Sequence, residues 1–512
     1  MPRLLARQHE AQVLKTGLFE RTLKLGPSWR MLLLGGGFVF SILGARLGTI
    51  HLYGTDQPFA DQWAAEGVGF LQAPLHDKLN WSSFFWPHGE HRPAVTRFIT
   101  RGLIVANEGQ WDCYLEIVFN LLISAVYLMV AWWTAMRVGG GRWVWATLVM
   151  MVLLFAQPCA YENLLWGFQS QFLFLLLCGM LHVFATLKSP RLDWWWVAAQ
   201  FAGLCGLFSI AAGVASPAIL AVLAGGGILR GRRDAWAWGT LLINGALLAY
   251  GLWLLPAGII SGGDHAGHLA RTFIHAACLL SWPIGGSGWF LLVYAPWIVA
   301  LISWCLGRVR SIQDDLVVGL GGWVVVIALI VGYGRPLTPE TIGVRYYDFL
   351  IAGVFVNALI LIKMLTASRF AWLWKGLGLV WLIMIGTGYW RLNNPVSAGA
   401  MLRQQKIYAL EQRDVIRKFL ATDDPASLEE FSNRTHRFPH FALTLDLLGD
   451  PEVRPFLPPS LAVGGKVGPL SRFASEFSRY WMALLGVSMA LMLVAAFLPK
   501  AVKSGGCGSP AE

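Results

Sequence analysis

DQPFADQWAAEGVGFLQAPLHDKLNWSSFFWPHGEHRPAVTRFITRGLIVANEGQW, residues 56 to 111, is the polar exception in a chain whose other long stretches are mostly apolar. It crowds carboxylates, histidines, arginines and tryptophans between hydrophobic runs near 29 to 52 and 112 to 135. Those runs are long enough for the ~30 Å hydrocarbon core of a bilayer. They show no period-two alternation, so they read as helices and not barrel strands, the two forms that leave no backbone group unpaired in lipid. The stretch therefore reads as a loop held at a membrane surface, the floor of an active site between the first two spans of an all-α bundle.

Composition agrees. Of 512 residues 56% are hydrophobic and 13% charged, with 26 tryptophans and a mean hydropathy of +0.55, which excludes an ordinary soluble core. The net charge of +11 raises nucleic acid as a partner, but the distribution argues against it. Basic residues recur in the short connections 137 to 142, 188 to 191, 230 to 233, 308 to 310 and 363 to 375, and at both termini. That is the inside-positive pattern of a membrane protein. The seven cysteines form no CxxC pair and mostly fall inside apolar runs, so neither a disulfide framework nor a cysteine metal site is supported.

A window of about 20 apolar residues marks about twelve transmembrane helices, near 29–52, 112–135, 143–158, 165–187, 193–211, 213–229, 235–257, 287–307, 316–333, 347–365, 371–390 and 480–499. The domain reading is a cytoplasmic tail over 1–28, a transmembrane domain over 29–390 with its outer loop at 53–111, an outer helical segment over 391–479, a last span at 480–499 and a cytoplasmic tail over 500–512. Both termini are then cytoplasmic, and the concentrations of unusual polar residues fall on the outer side. In the 391–479 segment Leu402, Ala409 and Ile416 recur every seven residues beside Phe419 and Leu420, predicting one buried helical stripe.

Four groups of residues carry candidate chemistry. Asp56 and Asp61 follow the first span, where a carboxylate can take a proton from an acceptor hydroxyl; the alternative is a solvated loop start. The helix after them is expected at the interface, anchored by Trp63. PHGEHRP, residues 87 to 93, places His88, Glu90, His91 and Arg92 in one turn, with Arg97 and Arg101 a helical turn apart beyond it. Arginine there would neutralise a phosphate, or else merely snorkel from an interfacial helix. His88, His91 and an Asp also have the donor atoms for a divalent cation, though HxxH spacing is weak support for a metal.

YENLLWGFQSQF, residues 161 to 172, sets Glu162, Trp166 and Gln169 at i, i+4 and i+7, so a single helix face would carry a carboxylate, an indole and an amide as a substrate wall. GRPLTPETIGVRYYD, residues 334 to 348, brings Arg335, Glu340, Arg345 and Tyr346 to the head of a span, against the inside-positive trend. An anion partner, or a pair between Arg345 and Asp348, would explain them. Asp264, His265, His268 and His275 read as a flexible loop, and Arg46 inside the first span calls for an acidic partner across the bundle.

This layout resembles the GT-C class of polytopic glycosyltransferases that use polyprenyl-phosphate sugars. The resemblance lies in an acidic residue soon after the first span (Asp56, Asp61), interfacial helices near 62–72 and 93–106, and a late outer basic site at Arg345 and Tyr346. It covers about 29–390 and departs in having Gln62, not a second acid, after Asp61. It implies hexosyl or pentosyl transfer in the inner membrane from a polyprenyl-phosphate-linked sugar to a lipid, glycan or protein acceptor. Asp61 or Asp56 would then be the base, Arg345 or Arg92 the phosphate ligand, and Glu162, Trp166 and Gln169 the sugar contacts. A flippase, transporter or polymerase of lipid-linked glycans is the competing reading. A transporter would need polar residues through the depth of the bundle.

Overall fold

The computed structural model describes residues 27–139, 143–256, 265–307, 311–335, 342–367, 371–392, 395–462 and 467–498. The basic tails, Asp264 and Glu340 lie outside the described residues. Among those residues every regular element is helical, and the one β-bridge joins His88 to His91. The chain is a multi-pass membrane protein by the length and apolarity of its helices.

Eight helices are long and apolar enough to cross a bilayer: Trp29–Tyr53, Cys113–Gly139, Val144–Leu165, Gly167–Leu187, Ala211–Leu229, Ala235–Trp253, Ile312–Gly334 and Val344–Leu365. Two bent pairs, Ser287–Val293 with Ala295–Cys305 (62°) and Pro469–Ser478 with Trp481–Phe497 (56°), raise the number among the described residues to ten if each is one span. Two of the about twelve spans expected from the sequence are not among these. Trp194–Leu207 has 14 residues, or about 21 Å of helix, well short of a hydrocarbon core. Ala371–Leu392, with 22 residues, has the length of a span.

The first helix, Pro27–Tyr53, packs on the last, Trp481–Phe497, through a row of small residues. Ser41 and Ser488 share a 2.6 Å hydrogen bond, and Ser488 Oγ donates to the Gly37 carbonyl at 2.7 Å. A Cβ added at Gly44 would come within 2.8 Å of Leu485, so close backbone approach is what the glycine permits. Aromatic rings fill the centre, with Phe38, Phe155 and Phe355 buried in edge contact and Trp323 buried beside them.

Two polar links cross the bundle. Arg46 pairs with Asp348 at 3.3 Å, both buried, which supplies the acidic partner its sequence position demands. The second link corrects the expectation that polar residues gather at one boundary. His182, fully buried, bonds Ser216 (3.0 Å) and Gln200 (3.2 Å), and Asn244 donates to Gln200 (3.0 Å). Buried polar groups need partners, and these bond one another across four helices.

At one end the loop 53–111 and the segment 395–462 form a crown with a core of its own. Trp63 meets Trp111 and Phe438 at ring separations of 5.7 Å, and Ile416, Phe431, Leu447 and Leu457 close around them. Leu402, Ala409, Ile416, Phe419 and Leu420 are all buried, as their spacing predicts, on the helix Pro395–Thr422. Trp63 is therefore not a surface anchor, because the outer segment covers it; Trp81 and Trp86 are the exposed indoles of the loop. Arg97 does not snorkel either, being buried and donating to the carbonyls of Ser83, Phe84 and Trp86.

Removing one member of the buried ion pair leaves the other uncompensated, a loss of about 3–5 kcal/mol. Arg46→Met is expected to lower the unfolding temperature in detergent sharply, and Arg46→Met with Asp348→Leu to recover most of it.

Candidate functional site

The buried Asp348 that holds Arg46 also anchors the site. Its other oxygen accepts from Asn163 Nδ2 (3.0 Å), and the same amide donates to the Arg345 carbonyl (2.8 Å). Arg345 is thereby fixed at the head of its helix. Its side chain pairs with Glu162 at 3.2 Å and stands 5.9 Å over the Trp166 ring. Asp348 is thus committed to Arg46 and Asn163, and Arg345 takes Glu162 as its partner.

PHGEHRP folds into a tight two-way turn. His88 and His91 exchange backbone hydrogen bonds of 2.8 and 3.0 Å, with Gly89 at φ +55° between them. Asp61 lies 3.8 Å from His88 Nε2. The His88 imidazole, aided by the charges of His440 and Arg345 and opposed by partial burial, holds the Asp61 carboxyl below its ordinary value. Asp61 is therefore an anion at neutral pH. The Ala211 N–H donates to His91 Nδ1 at 3.2 Å, and burial pushes His91 down to about 4, so it stays neutral. Glu90 pairs with Arg335 at 2.5 Å. Arg92 spends its guanidinium on the carbonyls of Leu254 (2.9 Å) and Phe85 (2.8 Å), which makes it a tie between loop and bundle.

Glu90, His91, Arg335 and Tyr346 form the polar end of a cavity of ≈ 530 Å³. The rest of its wall is apolar and runs into the bundle, with Phe172, Ile210, Leu252, Phe273 and Ile330 among its lining. A smaller pocket on the other side of Arg345 is lined by Gln57, Phe59, Glu162, Trp166, Gln405 and Arg437. There Trp166 Nε1 and Gln57 Oε1 are buried without a hydrogen-bond partner among the described residues. Phe59 packs edge-on to Trp166 at 4.8 Å.

Glu162, Trp166 and Gln169 do not share one helix face. The helix Tyr161–Leu165 ends at Trp166, which is extended (φ −128°, ψ 114°), and a short 3-10 turn, Gly167–Gln169, follows. The break lets Gly167 press on Glu116, where any Cβ would collide with the carboxylate, while Asn120 Nδ2 donates to the Gly167 carbonyl at 3.0 Å. Glu162 and Trp166 still reach the small pocket, whereas Gln169 is buried beneath it. Asp56 is occupied by structure. Its two oxygens accept from the Ser460 N–H (2.7 Å) and Oγ (2.8 Å), clamping the outer segment onto the loop.

Two carboxyls escaped the sequence reading. Glu66 and Glu116 are buried below the turn, bridged by Gln62 Nε2, which donates to Glu66 at 2.6 Å and to Glu116 at 2.9 Å. Thr100 donates to Glu66 (2.8 Å) and Trp111 Nε1 to Glu116 (3.2 Å). Two buried carboxyls within reach of each other cannot both ionise. Burial raises Glu66 to about 7. The available signal was Glu116 itself, an acid inside a 27-residue apolar helix.

The suggested cation site does not assemble. His91 is taken by the Ala211 amide and His88 faces Asp61. Among the described residues no three His, Cys, Asp or Glu side chains converge to hold a metal ion. The sequence matches no protein-family model and no curated protein.

Glu66 binds its proton more tightly in the folded protein, about 7 against 4.5. Its contribution is thus intact below the lower value and is lost as pH climbs through the interval between them. Thermal stability is expected to fall across that range by at most about 1.4 kcal/mol per pH unit from this group. Glu66→Gln should flatten that dependence in a pH series of melting curves.

Proposed function

We propose that the chain is a membrane glycosyltransferase that moves a sugar from a polyprenyl-phosphate donor to a hydroxyl of a lipid, glycan or protein, with inversion. The crown would face away from the cytosol. Lys188, Arg191, Arg230, Arg232 and Arg233 cluster at the opposite end of the bundle, which supports that orientation.

The observation that carries the reading is the apolar cavity of ≈ 530 Å³ lined at its polar part by Glu90, His91, Arg335 and Tyr346, among them chain neighbours of His88, which faces Asp61, and of Arg345. An isoprenoid chain needs an apolar slot, and its phosphate needs cations at the mouth of that slot. Arg335, paired with Glu90, and Arg345, paired with Glu162, would take the phosphate. The acceptor hydroxyl gives its proton to ionised Asp61 while its oxygen bonds to the anomeric carbon. The bond from that carbon to the phosphate oxygen breaks, its electron pair leaves with the lipid phosphate, and the arginines neutralise the developing charge. Glu162, Trp166 and Phe59 offer the sugar a carboxylate and aromatic faces. Loop helices lying at the membrane interface, as exposed Trp81 and Trp86 suggest, would admit the donor sideways from its leaflet.

Transport of a lipid-linked glycan is the second reading, favoured by the polar network around His182 in mid-bundle. Its members bond each other, which fits helix fastening better than a path.

Asp61→Asn is expected to cut sugar transfer from a short-chain polyprenyl-phosphate donor by about 10²–10⁴-fold while the protein remains folded. Asp56→Asn should instead lower the melting temperature by loosening the Ser460 clamp. Unchanged transfer in a folded Asp61→Asn variant would refute the assignment.

A further inference from the structure

A second built cleft lies at the end of the bundle away from the crown. The helix Ala215–Leu229 starts below Ala211, whose amide meets His91, and so carries Arg230 to the far end. The helix Ile312–Gly334 finishes at Arg335 on the crown, so its first turn with Asp315 is at the far end too. Between them is a cleft of ≈ 250 Å³ lined by Arg230, Arg232, Trp236, Trp304 and Asp315, with Leu187 and Leu223 on the side toward the bundle.

Each arginine sits over an indole: the guanidinium carbon of Arg230 is 3.7 Å from the Trp304 ring centre and that of Arg232 is 4.2 Å from the Trp236 ring centre. A cation over an indole face keeps N–H donors that a phosphate can accept from, and both arginines line the cleft. Arg230 has no ion pair among the described residues, whereas Arg232 Nε pairs with Asp234 at 2.9 Å. Asp315 is held in place by Trp304 Nε1, which donates to one of its oxygens at 2.7 Å. With Arg232 offset by Asp234, the cleft presents one uncommitted cation, Arg230, and one carboxylate, Asp315.

A purely anionic ligand would meet repulsion from Asp315, and a cationic one from Arg230. A headgroup that carries both charges satisfies the two, and apolar walls on one side suit the chains attached to it. We propose that this cleft binds the headgroup of an aminophospholipid, its phosphate on Arg230 and Arg232 and its ammonium on Asp315. The site is separate from the crown and works whether or not sugar transfer is the reaction above it.

The test is photolabelling of the full-length protein in nanodiscs with a phosphatidylethanolamine analogue bearing a photoreactive headgroup, mapped by mass spectrometry. Labelling is expected on peptides containing Arg230 to Trp236, Trp304 or Ile312 to Asp315. Unlabelled phosphatidylethanolamine should compete about tenfold better than phosphatidylglycerol or phosphatidylcholine, a difference of about 1.4 kcal/mol. Arg230→Gln should lose labelling at these peptides about tenfold, and Asp315→Asn should erase the preference for the free ammonium. Equal competition by the three lipids, or unchanged labelling in Arg230→Gln, would overturn the proposal. So would displacement of the label by inorganic phosphate alone, which would identify a free-phosphate site. Should Arg230→Gln fail to elute as a single species, the competition series on the unaltered protein decides by itself.

Discussion

An arginine inside a membrane-compatible helix must be neutralised where it lies, and Arg46 does this through Asp348. That single requirement reaches the surface. Asp348 holds Asn163, Asn163 holds the Arg345 backbone, and Arg345 meets Glu162. The low dielectric of the bundle makes the first pair expensive to break, so everything hung on it is fixed in position. A surface arginine on a loop would have no such footing.

The crown is organised by the opposite tactic. Its core is aromatic and aliphatic, built jointly by the first loop and a segment more than 300 residues later in the chain. Trp63, Trp111 and Phe438 enclose the loop from one side, while Gln62 and the Glu66–Glu116 pair fill the polar space beneath. Carboxyls that accept from Gln62, Thr100 and Trp111 are less costly to bury and have their hydrogen bonds in fixed directions. They therefore support the turn that presents His88 to Asp61. Above this floor, the apolar cavity and the small aromatic pocket open on either side of Arg345.

Much of this was written in composition and spacing. Apolar runs announced the helices because lipid tolerates no unpaired backbone, and the seven-residue repeat of Leu402, Ala409 and Ile416 announced the buried stripe of the outer segment. Arg46 announced a partner through the cost of an unpaired charge. Spacing misled where the chain leaves the helix: Glu162, Trp166 and Gln169 count as one face only if the helix continues, and Gly167 interrupts it to fit against Glu116.

The amino-acid sequence alone thus determined that the chain lives in a bilayer as helices and that its polar residues concentrate beside the first spans, since both follow from local apolarity and charge. Which carboxylate stands by a histidine and which is spent on a serine clamp, that Arg92 ties carbonyls, that Trp63 is interior, and that Glu66 and Glu116 meet on the Gln62 amide were decided only by tertiary contact. The reason is physical: hydropathy and periodicity act over neighbouring residues, whereas the protonation and partners of a buried group depend on whatever the fold brings against it from distant parts of the chain.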